Sequence, residues 1–526
     1  MRTPQRLAGR RSAAPYLLAG LSAVFVVIGN IGGLALGDDG VGYEAIADSL
    51  KAGKGLRYFL EPDGLTIWPP LWPTLMGGVS RITHLSTPQA AIALNAAVAV
   101  MVVLATNQLL RRLVAAPRIQ LIGTAVVAIG GSSVLFGHLL MTDFAFVAVM
   151  LWMFVRLIDH RRSHSMRHLI SAAVWVWVAF AIRYAGVALI AVGGAWLLLG
   201  PPRGVRRRVR DAAVFGVVSV LFPIAWMLRN HSIDGTFLGI RYSSARGLIP
   251  NTFDALATFG NFLVPGIAIE QRKIWAVVAL AGIAVMATLV WRVIRHDERI
   301  HSVIGGAELG ATATGLLVCQ IVIYTLYMLY ARTTTGLNQL DFRLLNPIYI
   351  PLVLCCLVVI DRVLARGGET EPSTRLARAA LSAWAALSIV LGMVMVGYFT
   401  TDADLFSGNY ERQAFDTARH SKALDAIDAN CDRSTQALSS NLPNALYEAG
   451  VEADWSPRLT GLESTDPVDD LARLHADVGR RRHCLIWIDL EPTYGHLATL
   501  ERLRHEFHLE QVAHDGKVSL YTVSAR

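Results

Sequence analysis

The sequence predicts a polytopic α-helical membrane protein of about eleven transmembrane helices, followed by a C-terminal α/β domain outside the cytoplasm. Three observations carry this expectation. Of 526 residues, 53% are apolar and only 17% charged, against roughly a quarter charged in a soluble domain. Apolar segments recur near residues 14–36, 89–110, 118–136, 143–159, 169–182, 185–200, 211–228, 274–294, 304–330, 345–362 and 377–399. Arginine fills every second loop between them.

The chain starts with Arg2, Arg6, Arg10 and Arg11 and then turns apolar. That apolar run exceeds the roughly 7–15 residues of a signal-peptide core, and no small-x-small cleavage site follows, so it is expected to stay as the first span. The basic loops hold Arg111 and Arg112, Arg161 and Arg162, Arg206 to Arg208, Arg292 and Arg295, and Arg362 and Arg366. Positive loops lie inside, so the N-terminus is expected to be cytoplasmic and the protein a multi-pass plasma-membrane protein. These arginines then anchor the chain at the membrane; they do not form a nucleic-acid site.

The same parity puts the chemically suggestive residues on the outer face. The first outer loop, 37–88, opens with Asp38 and Asp39, continues through Tyr43, and contains a Trp-Pro-Pro-Leu-Trp-Pro box from Trp68 to Pro73. Adjacent side chains of an extended chain point opposite ways, so one of the two acids faces a pocket. Asp39 suits either an N-cap of the following helical run or a general base that takes a proton from a hydroxyl. Asp143 opens a later apolar helix on the same face. It reads as an N-cap or as a second pocket carboxylate that orients an acceptor, binds a divalent cation with Asp39, or repels it electrostatically. Arg183, Arg229, Arg332 and Arg343 mark outer helix boundaries, where an unpaired charge is costly; as a set they suit phosphate, whose oxygens match the guanidinium fork. Trp68 and Trp72 are either interfacial belt residues or sugar-stacking faces. With Tyr43 and His138 they make up the candidate acceptor- and sugar-binding set, and Tyr184 joins the candidate donor site.

After residue 400 short apolar runs alternate with amphipathic stretches: TQALSS (435–440), CLIWIDL (484–490), TLERLRHEFHL (499–509) and KVSLYTV (517–523). This predicts a small α/β domain over 401–526 beside a membrane domain over 1–400. Cys431 and Cys484 each sit at or just before a strand start, so an exterior disulfide between them is expected; Cys319, Cys355 and Cys356 lie in apolar spans as small buried residues.

In their order and sidedness, GDDGVGY (37–43), PPLWP (69–73), MTDFAF (141–146), IRYAG (182–186), LRNHSIDG (228–235) and DFRLLNPIYIPL (341–352) resemble the GT-C superfamily. The resemblance is to the protein O-mannosyltransferase and lipid A aminoarabinose transferase group and to bacterial dolichyl-phosphate-mannose mannosyltransferase-like proteins. It implies an inverting integral-membrane glycosyltransferase, hexosyl or pentosyl. The donor would be a polyprenyl-phosphate sugar and the acceptor an extracytoplasmic glycan, glycolipid or secreted protein. It implies that Asp39 is the catalytic base, with Asp38 the alternate, and that Asp143 is the second acid. Relatives with a lysine before Pro-Pro use it on the lipid phosphate; here that position is Trp68, which shifts phosphate binding to Arg183, Arg229 and Arg343. The unit SSNLPNALYEAGVE (439–452) is similar to the tail domain of the bacterial proteins. The rival readings are a transporter, which calls for inverted repeats, and a non-catalytic glycan-binding scaffold.

Overall fold

The computed structural model describes residues 12–526 except 62, 200–203, 263–271, 296–312, 367–371, 402–407, 435–436 and 491–493. The N-terminal arginines expected at the membrane surface lie outside the described residues, as does the start of the apolar segment 304–330.

Helices form at the apolar segments: α1 (Ala14–Gly29), α4 (Thr87–Leu113), α5 (Pro117–Ile129), α6 (Gly131–His138), α7 (Asp143–Ser163), α8 (Met166–Ile182), α9 (Ala188–Leu198), α10 (Val205–Asp234), α12 (Arg272–Arg295), α13 (Ala313–Thr334), α14 (Phe342–Arg366) and α15 (Pro372–Phe399). Between these helices lie α2 (Asp38–Lys51) and α3 (Leu71–Thr83), in the connection from α1 to α4, and α11 (Leu248–Asn261). Among the described residues, six helices are long and apolar enough to cross a membrane, short of the eleven expected. Ala14–Gly29, Met166–Ile182, Tyr184–Leu198 and Lys273–Val285 are apolar but shorter. Some apolar runs break early for local reasons. After α1, for example, Asn30 turns its amide onto the carbonyls of Val26 and Gly137 at 2.7 and 3.1 Å.

Two sequence expectations shift at helix ends. The N-cap of α2 is Gly37, not Asp39, and helix begins at Asp38. α10 runs on to Asp234, so Arg229 sits on a helix and not in a loop.

The connection that holds α2 and α3 packs closely because its glycines permit it. A Cβ on Gly77 would fall 2.7 Å from the Ala47 carbonyl, so α3 lies directly on α2. A Cβ on Gly42 would fall 2.4 Å from the Trp68 ring, and that ring is held against Tyr43 and Tyr58 at 5.5 and 5.2 Å. Gly42→Ala is therefore expected to cost about 1–3 kcal/mol by overpacking, read as a fall in melting temperature. Gly78→Ala, with nothing within 4 Å of its Cβ, is the control and should not fall.

Residues beyond 408 form helices α16 (Gly408–Arg419), α17 (Pro443–Glu448), α18 (Asp470–Val478) and α19 (Leu500–Glu506) around strands β1 (Leu438–Ser440), β2 (Asp454–Trp455), β3 (His483–Ile488), β4 (Phe507–Asp515) and β5 (Val518–Ala525). The sheet order is β2-β1-β3-β5-β4. β1 pairs in parallel with β2 and β3, and β5 runs antiparallel to β3 and β4. Apolar clusters cover both faces, one around Leu438, Ile486 and Leu520, the other around Leu485, Leu503 and Tyr521. Cys431 and Cys484 form a disulfide with Cα atoms 5.8 Å apart. Cys319, Cys355 and Cys356 are free and half-buried.

This segment sits on the loop that holds α2 and α3, on the loop between α10 and α11, and on the end of α13. Tyr447 stacks on Phe59 and donates to Asp48 at 3.1 Å. On the other side, Asp466 accepts from the Ser243 amide at 2.6 Å, and Glu463 pairs with Arg332 at 3.0 Å.

Candidate active site

Two links ahead of α2 and α7 place the acids. Ala35 and Leu139 form a parallel bridge: the Ala35 amide bonds to the His138 carbonyl at 3.0 Å, and the Leu140 amide to the Ala35 carbonyl at 3.1 Å. Each strand-like link then turns into a helix. Asp39 and Asp143 follow the bridge at the same offset, in the first turns of α2 and α7. Helix N-termini favour carboxylates through their free N–H groups and dipole.

Each acid has its own arginine. Arg183 Nη1 lies 2.8 Å from Asp143 Oδ1, and Arg343 Nη2 lies 3.2 Å from Asp39 Oδ2. Arg183 caps the end of α8, where the chain is extended, and also donates to Thr142 Oγ1 at 3.1 Å. Tyr43 reaches the same threonine, and burial, first, raises its hydroxyl pKa, with Asp39 adding to the effect. Arg343 stands in the first turn of α14, whose start is capped by Asp341 Oδ1 accepting from the amides of Arg343 and Leu344, each at 3.0 Å. The Asp143 side chain is only 2% exposed and its Oδ2 has no hydrogen-bond partner. Asp39 is a third exposed. The cluster thus offers one accessible carboxylate and one buried carboxylate with an open lone pair.

Asp38 faces the other way. Its carboxylate accepts from Asn444 Nδ2 at 2.7 Å and Tyr494 Oη at 2.8 Å. Burial raises its pKa, and the two hydrogen bonds oppose the rise.

The remaining candidates divide. Arg183 and Arg343, expected to bind the lipid phosphate, each pair with a carboxylate. Arg229 keeps its guanidinium over the Trp226 ring at 4.5 Å and donates to Asn230 at 3.0 Å and to the Leu65 carbonyl. Arg241, which sequence reading missed, donates to the carbonyls of Leu238 and Ile67 at 3.1 and 2.9 Å and lies within electrostatic range of Asp39 and Tyr184. Among the described residues neither Arg229 nor Arg241 forms an ion pair. Tyr184 bridges this region: its hydroxyl donates to the Thr66 carbonyl at 2.6 Å and accepts from Asn230 at 3.0 Å and Trp226 at 3.2 Å.

Three expectations are corrected. Trp72 is 1% exposed in the apolar core and offers no sugar face. His138 is buried, stacked on Phe399 at 3.8 Å and bonded to Asn30 at 2.8 Å, which locks α6 to α15. Arg332 is 1% exposed and binds Ser244 at 2.9 Å and Glu463, seating the C-terminal segment. In each case a polar or aromatic residue at a membrane boundary satisfies a neighbour. No group of three or more His, Cys, Asp or Glu side chains is placed to hold a metal ion among the described residues; Asp39 and Asp143 each hold an arginine instead.

The chain shares its fold with ArnT, AglB and AftD, each known from solved structures. In particular, it is similar end to end to ArnT from Cupriavidus metallidurans, solved bound to undecaprenyl phosphate, at 14% identity over 96% of this chain and 97% of that one, with a TM-score of 0.59. AglB from Archaeoglobus fulgidus, an archaeal oligosaccharyltransferase solved with an inhibitory peptide and a dolichol-phosphate, matches at 10% identity over 90% of this chain and 69% of its own, TM-score 0.52. The arabinofuranosyltransferase AftD from Mycobacteria matches at 14% identity over 98% of this chain but 40% of its own, TM-score 0.52. No family model matches the sequence, and no curated protein does.

Proposed function

We propose that this chain is a multi-pass glycosyltransferase that moves a sugar from a polyprenyl-phosphate donor to a hydroxyl of an extracytoplasmic acceptor: a cell-envelope glycan, a glycolipid or a secreted protein. The observation that carries the reading is the paired cluster Asp39–Arg343 and Asp143–Arg183, built on two helix N-termini that a single β-bridge brings side by side. The ligands of two structural neighbours, undecaprenyl phosphate and dolichol-phosphate, support the donor class. The basic alternate loops support an outward-facing site. In this reading the membrane domain is 1–400 and the soluble outer domain 401–526.

The acceptor O–H gives its proton to Asp39 while its oxygen attacks the anomeric carbon. The bond from that carbon to the phosphate oxygen breaks, and the lipid phosphate leaves with its electron pair. One displacement inverts the anomeric centre. Arg343 holds the Asp39 carboxylate in place. Asp143 Oδ2, buried and unpartnered, accepts a hydrogen bond from a substrate hydroxyl. Arg229 and Arg241 stabilise the departing phosphate, because they alone among the candidate arginines are not committed to a carboxylate. Pre-oriented cations in a desolvated site favour the charge that develops there.

The test is native mass spectrometry of the purified protein supplied with a panel of polyprenyl-phosphate sugars, with product assay alongside. The expected result is a bound lipid phosphate, at least about tenfold weaker in Arg229→Ala/Arg241→Ala, as for loss of charge-assisted hydrogen bonds worth roughly 1.5–3 kcal/mol. A protein that binds no polyprenyl phosphate and turns over no donor is a scaffold or transporter instead.

A further inference from the structure

Asp38 is bound by residues 406 and 456 positions away, Asn444 and Tyr494. We infer that these two residues of the C-terminal segment are positioning residues for the acid-bearing turn of α2. By holding Asp38 they fix where its neighbour Asp39 points. The inference rests on Asp39 acting as the base.

α2 starts without a side-chain cap. Its N-cap is Gly37, which offers no side chain, and the first turn reads DDGVG. Glycine in a helix loses more backbone freedom on ordering than any other residue, so this turn holds its shape only if something outside the helix grips it. The grip is rigid. Tyr58, 5% exposed, donates to Asn444 Oδ1 at 2.8 Å. That fixes the amide so that Nδ2 faces Asp38. Asn444 lies in α17, just past the carboxyl end of β1, and Tyr494 follows the carboxyl end of β3. Asn441 ties those two strand ends together, donating to the Ile488 carbonyl at 2.8 Å and accepting from its amide at 2.9 Å. From β2, Trp455 sets its ring edgewise to Tyr494 at 5.7 Å. Three parallel strand ends thus converge on one carboxylate.

The space around Asp38 argues against direct chemistry there. The cavity it lines with Phe415, Leu442, Trp455 and Tyr494 has a volume of about 10 Å³, room for one water. An acceptor sugar does not fit. Asp39, the next residue, pairs instead with Arg343. The two adjacent acids therefore separate into an anchor and a reactive group.

Two measurements on the full chain in detergent test this. The first is hydrogen exchange at the amides of Val41 to Glu44, which bond back to the first turn, in Asn444→Ala/Tyr494→Phe. Exchange is expected to quicken roughly tenfold there, as for local opening of a turn, with α18 unchanged as an internal control. The second is turnover. The same double variant is expected to lose about 10- to 100-fold in kcat at unchanged donor KM, the size of a misplaced catalytic group. Asp38→Asn should stay well above Asp39→Asn, because an amide still accepts from Asn444 and donates to the Tyr494 oxygen. Unchanged exchange overturns the inference, as does an Asp38→Asn variant as dead as Asp39→Asn. If the wild type transfers no sugar, the proposed function fails, and the exchange result still decides whether the C-terminal segment holds the turn.

Discussion

Asp39→Asn is expected to lose about 10²- to 10⁴-fold in turnover, the usual size of a general-base contribution, while binding of the lipid phosphate stays within about twofold of wild type, since an interaction made only in the transition state leaves ground-state binding alone. Asparagine keeps the size of the side chain and can still accept from Arg343, so geometry is preserved and only proton acceptance is lost. Arg343 then lacks its counter-charge, but its side chain is 17% exposed and Asp341 lies close enough to act on it. The variant is therefore expected to fold. Turnover within a factor of ten of wild type would remove Asp39 as the base and leave Asp143, with its unpartnered oxygen, as the group to test next.

Much of this site could be read in the chain before its structure, and the reasons are local. Asp39 and Asp143 stand out because each follows or opens an apolar helix at a boundary, where a carboxylate needs a purpose. Their arginines stand out for the same reason. What one dimension conceals is who pairs with whom. Arg183 meets Asp143 and Arg343 meets Asp39 because the Ala35–Leu139 bridge sets two helix starts in register, and no spacing rule encodes a bridge between residues so far apart. Trp72 and His138 misled because an aromatic at a helix boundary serves a core as readily as a pocket. Arg241 lies in a loop with no periodic pattern to mark it.

The C-terminal sheet shows the same division. β1, β3 and β5 fall on apolar runs visible in sequence. β2 is two residues long and carries no pattern. The run 499–509, an amphipathic stretch in the sequence, is helix from Leu500 to Glu506; from Phe507 the chain pairs with β5 as β4. Short elements take their state from their partners, which is why the role of Asn444 and Tyr494 became visible only in three dimensions.

The Asp143–Arg183 pair sets the second large effect, on stability first. Asp143 is nearly sealed from water, and its ion-pair partner Arg183 is 2.8 Å away. Arg183→Ala leaves a buried carboxylate uncompensated, a change that typically costs about 3–5 kcal/mol. The expected result is a marked fall in thermal stability. Neutralising the acid as well, in Asp143→Asn/Arg183→Ala, removes the stranded charge and should recover a good part of the loss. A coupling of at least about 1 kcal/mol is the signature of groups in direct contact. Turnover should not recover with stability, because the double variant has lost the second carboxylate that the proposed mechanism places against the substrate. Additive losses would mean that the two side chains do not depend on each other. Recovery of both stability and turnover would make Asp143 a structural counter-ion and nothing more. Recovered stability without turnover separates the two roles of one residue: Oδ1 balances the charge of Arg183, and Oδ2 faces the substrate.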